Sequence, residues 1–181
     1  MEQRGIFLKK SILAIAGGLV LILFDQFTKY MAVAHLKDQN PFVLIQNIFQ
    51  LQYLENSGAA FGLLQGKKVL FLIVTFAFLI AAGFLFYKLP LGRKYEPLRI
   101  VIVVLASGAI GNMLDRVFRN YVVDFFYFEW IDFPIFNVAD IYVTLSAATL
   151  FILLLFYYKE EDLNLIFPSK KTDRTGGNNE L

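Results

Sequence analysis

The chain has 181 residues, 57% of them apolar and only 18% charged, with 20 Phe, no Cys and a single His. Its mean hydropathy of +0.58 excludes an ordinary water-soluble enzyme and points to a bilayer. The absence of Cys removes thiol nucleophiles, disulfides and thiolate metal sites, and the lone His35 removes multi-histidine metal centres. A net charge of +2 gives no basis for a nucleic-acid partner.

Four segments are long and apolar enough for membrane-spanning helices: 11–34, 69–87, 98–114 and 138–158. None contains Pro, and the last ends in the aromatic and basic anchor Tyr157-Tyr158-Lys159. The first span competes with a signal-peptide reading in which Lys9-Lys10 precedes an apolar run and Ala32-Val33-Ala34 supplies the cleavage site. Asp25 and Lys29, between that run and the cut, argue against it, as do the three spans that follow. Four spans place both termini on one side. Eleven Lys and Arg fall there (Arg4, Lys9, Lys10, Lys88, Arg93, Lys94, Arg99, Lys159, Lys170, Lys171, Arg174), against four in the other loops (Lys37, Lys67, Lys68, Arg119). Positive residues favour the cytoplasm, so both termini and the 88–99 loop are expected inside and the two longer loops outside.

In the first outer loop, Phe49, Leu51 and Tyr53 alternate with Gln50 and Gln52, a half-buried strand pattern that stops at the turn Asn56-Ser57-Gly58. The apolar stretch 59–64 is too short to span and reads as lying in the interface. The second outer loop, 119–137, is crowded with aromatics, as at headgroup level. Asp124, Glu129, Asp132 and Pro134 speak against a fifth span there. The domain is expected to cover 1–159, with 160–181 a cytoplasmic, disordered tail; from Ser169 onward the sequence is polar and without apolar periodicity.

An ionisable group within a span costs at least about 2.5–3.5 kcal/mol and marks a candidate site. Asp25 and Lys29 stand four apart in the favourable order for a helical ion pair, and mutual neutralisation suffices to explain both. Asp115 and Arg116 adjoin, so they point to different partners, and Asn112 lies one turn before Arg116. Gly108 and Gly111, with Ser107, make a small-residue face for close helix packing. Asp140 has a local role available, since Asn137 can cap the fourth helix with Asp140 at its third position. Asp124 lies sixteen positions earlier across a loop that leaves and returns on one face, so the two carboxyls can meet. A carboxyl pair that shares a proton supplies an acid and a base together, enough for water-mediated peptide hydrolysis without metal or cofactor. Other readings remain open: a proton-coupled carrier using Asp25, Asp115 and Asp140, an assembly subunit, or a Ser57–Lys29 protease.

Five strings, in order from residue 25 to 140, resemble the signature blocks of the bacterial lipoprotein signal peptidase (signal peptidase II) family. They are Asp25-Gln26-Phe27-Thr28-Lys29, Asn56-Ser57-Gly58-Ala59-Ala60-Phe61, Gly108 through Arg116, Val122-Val123-Asp124-Phe125, and Phe136-Asn137-Val138-Ala139-Asp140. The resemblance implies an all-α integral membrane protein of four transmembrane helices, with a small outward β platform and an interfacial helix. It implies an aspartic endopeptidase of the bacterial cytoplasmic membrane that removes signal peptides from diacylglyceryl-modified prolipoproteins, just before the lipidated Cys. On these motifs Asp124 and Asp140 are similar to the catalytic dyad. Asn56, Gly58, Asn112, Arg116 and Asn137 resemble pocket residues that bind substrate and globomycin-type inhibitors. Asp25, Lys29, Asp115, Gly108 and Gly111 fall to structural support. The aromatic 119–137 segment is expected to form a flap over the dyad, with membrane lipids as surroundings. Ser107 and Ile141 depart from the common family pattern, where Gly and Ser are usual.

Overall fold

The computed structural model describes residues 2–58 and 64–167. Four helices carry the length and apolarity to cross a membrane: α1 (Glu2–Leu36), α2 (Lys68–Lys88), α3 (Glu96–Arg119) and α4 (Val138–Ile152), the last prolonged by a wider π turn, Leu153–Tyr157. Leu13, Leu23, Val69 and Phe76 are more than half exposed on the outer faces of α1 and α2, as lipid-facing positions require. Helix ends follow local chemistry. Leu89-Pro90 stops α2, Pro97 stands in the first turn of α3, and Asn120 ends α3 in a left-handed conformation at φ 70°.

At one end of the bundle sits a three-stranded antiparallel sheet, ordered β1 (Phe42–Ile45), β2 (Phe49–Asn56), β3 (Val122–Phe128). The β2–β3 register slips between Leu51 and Leu54, opposite the stretch of β3 that includes Asp124. Such irregularities bend a strand and re-aim its side chains. Beyond β3 the chain turns at Glu129–Ile131 and comes back so that Phe136 bridges Phe126, which delivers Asn137 beside β3. Ala32, Val123, Phe125 and Val138 form the apolar core under the sheet. A second core, at the opposite end, gathers Ala82, Leu89, Tyr95, Leu98, Ile102, Tyr158 and Ile166.

Three local expectations are corrected. The 119–137 segment is not a flap throughout: its first half is β3, hydrogen-bonded into the sheet, and both halves contribute to the lining of the cavity described below. Residues 160–166, assigned to a disordered tail, form α5 (Glu160–Ile166). Its Asp162 pairs with Lys94 at 2.6 Å, and its Ile166 is buried against the second core. Helix α3 runs on to Arg119, beyond the expected span 98–114, so Asp115 and Arg116 lie within it rather than past its end. The proposed interfacial helix at 59–64 falls almost wholly outside the described residues.

Candidate active site

Where α3 and α4 meet the sheet, a cavity of about 420 Å³ opens, lined by Asn56, Gly58, Asn112, Arg116, Asp124 and Asp140 among others. They are brought together from β2 and the turn after it, α3, β3 and α4. Asn56 ends β2, Asn112 and Arg116 lie one turn apart on α3, Asp124 is on β3, and Asp140 is in the first turn of α4. Phe133, Pro134, Ile135 and Phe136, with Val143 and Leu145, make the apolar part of the lining. A polar end set in an apolar cleft suits an extended, greasy ligand.

Hydrogen bonds tie the two acids into one network. The Asp124 carboxylate accepts from Asn56 Nδ2 at 2.8 Å and from Asn137 Nδ2 at 2.6 Å. Asp140 accepts from Asn112 Nδ2 at 2.8 Å and from the backbone N–H of Asn137 at 3.1 Å. The last bond is half of a capping box, completed as Asp140 N–H donates to Asn137 Oδ1 at 3.0 Å. The local cap read from the sequence therefore exists, and it coexists with a position beside the cavity. Asn137 itself is fully buried behind the acids rather than lining the open space.

Asp124 is 1% exposed. Burial, and after it the neighbouring charge of Asp140, pushes its carboxyl up from the ordinary range to about 7, against the hydrogen bonds from Asn56 and Asn137. A carboxyl that holds a proton near neutrality, beside a second carboxylate, can donate and accept in the same step.

Behind the cavity lies a buried ionic cluster. Lys29 Nζ reaches Asp25 Oδ2 at 2.9 Å, Asp115 Oδ2 at 3.2 Å and Asn112 Oδ1 at 2.8 Å, with all three charged side chains 0–1% exposed. Asp25 also accepts the Ala139 N–H at 2.9 Å, holding the start of α4, and Asp115 accepts the Val123 N–H at 3.1 Å, holding β3. The support residues thus fasten the two elements that carry Asp124 and Asp140. Gly108 lets α4 approach: a Cβ there would stand 2.6 Å from the Ala139 carbonyl oxygen. At Gly111 a Cβ would collide with the Asp25 carboxylate. Ser107, the departure from Gly, is accommodated by donating to Val103 O at 2.7 Å.

Arg116 points the other way from Asp115, donating to Gly58 O at 3.0 Å with its guanidinium 4.4 Å from the Phe71 ring centre. The Ser57–Lys29 alternative finds no support, since the three Lys29 donors are committed to Asp25, Asp115 and Asn112. Two contributors escaped sequence reasoning. Gln26 Nε2 bridges Asp25 Oδ2 and Gly111 O, both at 3.1 Å. Phe71, under Arg116, looked like any lipid-facing aromatic. Gln26 stands inside the first signature string, a signal that was open to use.

Residues 18–156 match the family model described as signal peptidase (SPase) II. The chain is 41% identical over 144 residues to a lipoprotein signal peptidase of Streptococcus thermophilus strain CNRZ 1066, a match that covers 80% of this chain and 91% of that relative. It is 38% identical over 143 residues to a lipoprotein signal peptidase of Symbiobacterium thermophilum, covering 78% and 93%. Among solved structures it resembles one titled a bacterial membrane enzyme, solved by the in meso method at 2.3 Å. That match has a TM-score of 0.71 and 34% identity, covering 79% of this chain and 87% of that one.

Proposed function

The chain belongs to the signal peptidase II family, and from that membership we propose that it is an aspartic endopeptidase that cuts signal peptides from prolipoproteins. The substrate on this reading carries a diacylglyceryl group on its Cys, and the cut falls just before that residue. One observation carries the reading: the carboxylates of Asp124 and Asp140 face a single cavity, each hydrogen-bonded by amides and, among the described residues, neither paired with a cation.

In this mechanism Asp124 holds the shared proton and Asp140 takes a proton from a water lodged between them. The water oxygen bonds to the scissile carbonyl carbon while Asp124 gives its proton to the carbonyl oxygen. As the tetrahedral adduct collapses, the proton gained by Asp140 passes to the leaving nitrogen, the C–N bond breaks, and the proton on the oxygen returns to Asp124. A helical substrate hides its carbonyls in internal hydrogen bonds, so it must unwind locally, and little water is present to satisfy the freed groups. Asn56, Asn112 and Arg116 supply replacement partners without reading side chains. Small residues pass Gly58, and the lipid and globomycin-type inhibitors lie along the apolar wall near Phe133 and Phe136.

The purified protein should cleave a diacylglyceryl-modified peptide, with mass spectrometry locating the new N-terminus at the modified Cys, and should leave the unmodified peptide intact. Equal cleavage of both would contradict the lipid requirement. The topology, with termini and the 88–99 loop cytoplasmic, rests on the asymmetry of Lys and Arg. A Cys introduced at Gly92, which is exposed, should be labelled from the cytoplasm alone. Labelling from outside would reverse the orientation.

A further inference from the structure

Three amides border the two acids, and each has its oxygen turned away from them by a group that can only donate. Asn56 Oδ1 accepts the Gly58 N–H at 2.9 Å, and Asn137 Oδ1 accepts the Asp140 N–H at 3.0 Å. Asn112 Oδ1 accepts Lys29 Nζ at 2.8 Å. Backbone N–H groups and ammonium have no acceptor to offer, so each amide oxygen must face its anchor and each NH2 must face the carboxylates. Two of these anchors belong to the main chain. The third is a side chain from another helix.

Lys29 does more than neutralise Asp25 and Asp115. Its ammonium has three donors and three close acceptors, and the third acceptor is the Asn112 amide, whose NH2 then donates to Asp140 Oδ1 at 2.8 Å. We propose that Lys29 is a positioning residue for hydrolysis: by holding the Asn112 oxygen it forces the Asn112 NH2 onto Asp140 and keeps that carboxylate aimed into the cavity. Without Lys29 the Asn112 oxygen keeps only the longer bond from Asn137 Nδ2 at 3.2 Å, and the amide can turn over. Its oxygen would then face the Asp140 carboxylate, acceptor against acceptor, and both groups would swing apart. This inference rests on the dyad reading above, and it assigns Lys29 an effect on turnover that an ion pair serving only the fold would not have.

The test is a double-mutant cycle read on kcat and KM with a diacylglyceryl-modified peptide, with thermal unfolding measured for every variant. Asn112→Ala should lower kcat by about 10²–10³-fold, the loss typical of one transition-state donor. Lys29→Met should lower kcat at least about tenfold while KM stays within about threefold. Because Lys29 acts through Asn112, adding Lys29→Met to Asn112→Ala should cost less than about threefold more. Losses that multiply would overturn the proposal, as would Lys29→Met that melts earlier but turns over normally. Where Lys29→Met fails to fold, Asp25→Asn with Lys29→Met removes the buried pair with no change in net charge, and the same cycle is read from it. Failure of the dyad reading shows separately, as normal turnover by Asp124→Asn or Asp140→Asn.

Discussion

Lys29 and Arg99 are both cations buried in the bundle, at opposite ends, and they are satisfied by different kinds of partner. Arg99 donates to the main-chain carbonyls of Leu89 at 2.7 Å and Pro90 at 2.9 Å, and to Glu96 at 3.2 Å. Those carbonyls end α2, where Pro90 prevents the helix from continuing. Around Arg99 lie stacked Tyr95 and Tyr158, the Lys94–Asp162 pair and α5, all of which close that end of the bundle. Lys29 instead meets, among the described residues, side chains only, and one of them leads directly to Asp140. A buried charge that terminates in backbone secures the fold. One whose partners pass the hydrogen bond onward sets the geometry of a site.

The sharpest way to break this comparison is to remove the fold-securing cation. Arg99→Met leaves the Leu89 and Pro90 carbonyls without their donor, and each buried orphan costs about 1–3 kcal/mol. The expected result is a clear fall in melting temperature, with kcat of the folded protein within about threefold of wild type. A collapse of kcat at unchanged melting temperature would erase the distinction between the two ends.

A smaller effect, confined to pH, sharpens the same comparison at the site end. The Asp124 carboxyl is raised to about 7 in the folded protein, from the ordinary aspartate value of about 4, mainly by burial and then by Asp140. Between those values the folded state binds more proton than the unfolded one, so this group makes stability fall as pH rises from about 4 to 7. Asp124→Asn should flatten that part of the stability curve, whatever it does to stability at a single pH. Turnover by the wild type should decline above about pH 7 as Asp124 loses the proton it must donate. A flat activity profile through pH 9, or an unchanged stability slope in Asp124→Asn, would count against the shared proton.

What the sequence disclosed, and what it hid, follows from the range of the interactions. The four spans are visible because apolarity over about 20 residues is a local property. So are the Asp25–Lys29 pair and the Asn137–Asp140 cap, each closed within one turn. Strand β3 was harder to see, since Val122 through Phe125 are all buried and the period-two alternation of a half-exposed strand is lost. Helix α5 is seven residues long, too short to stand alone, and forms on contacts to Lys94 and the distant second core. The bond from Lys29 to Asn112 joins residues 83 positions apart, and no spacing rule announces it. The short motif strings narrowed the site residues, and tertiary contact alone revealed how their amides are oriented.

In the proposed reaction Asp124 and Asp140 perform the hydrolysis together, and the decisive experiment is single-turnover cleavage of a diacylglyceryl-modified peptide by Asp124→Asn and Asp140→Asn. Each substitution keeps the size of the side chain and removes its capacity to exchange a proton. Neither variant should cleave detectably, while helical content and membrane insertion stay like wild type. Near-normal cleavage by either one, with the peptide cut at the same bond, would contradict it.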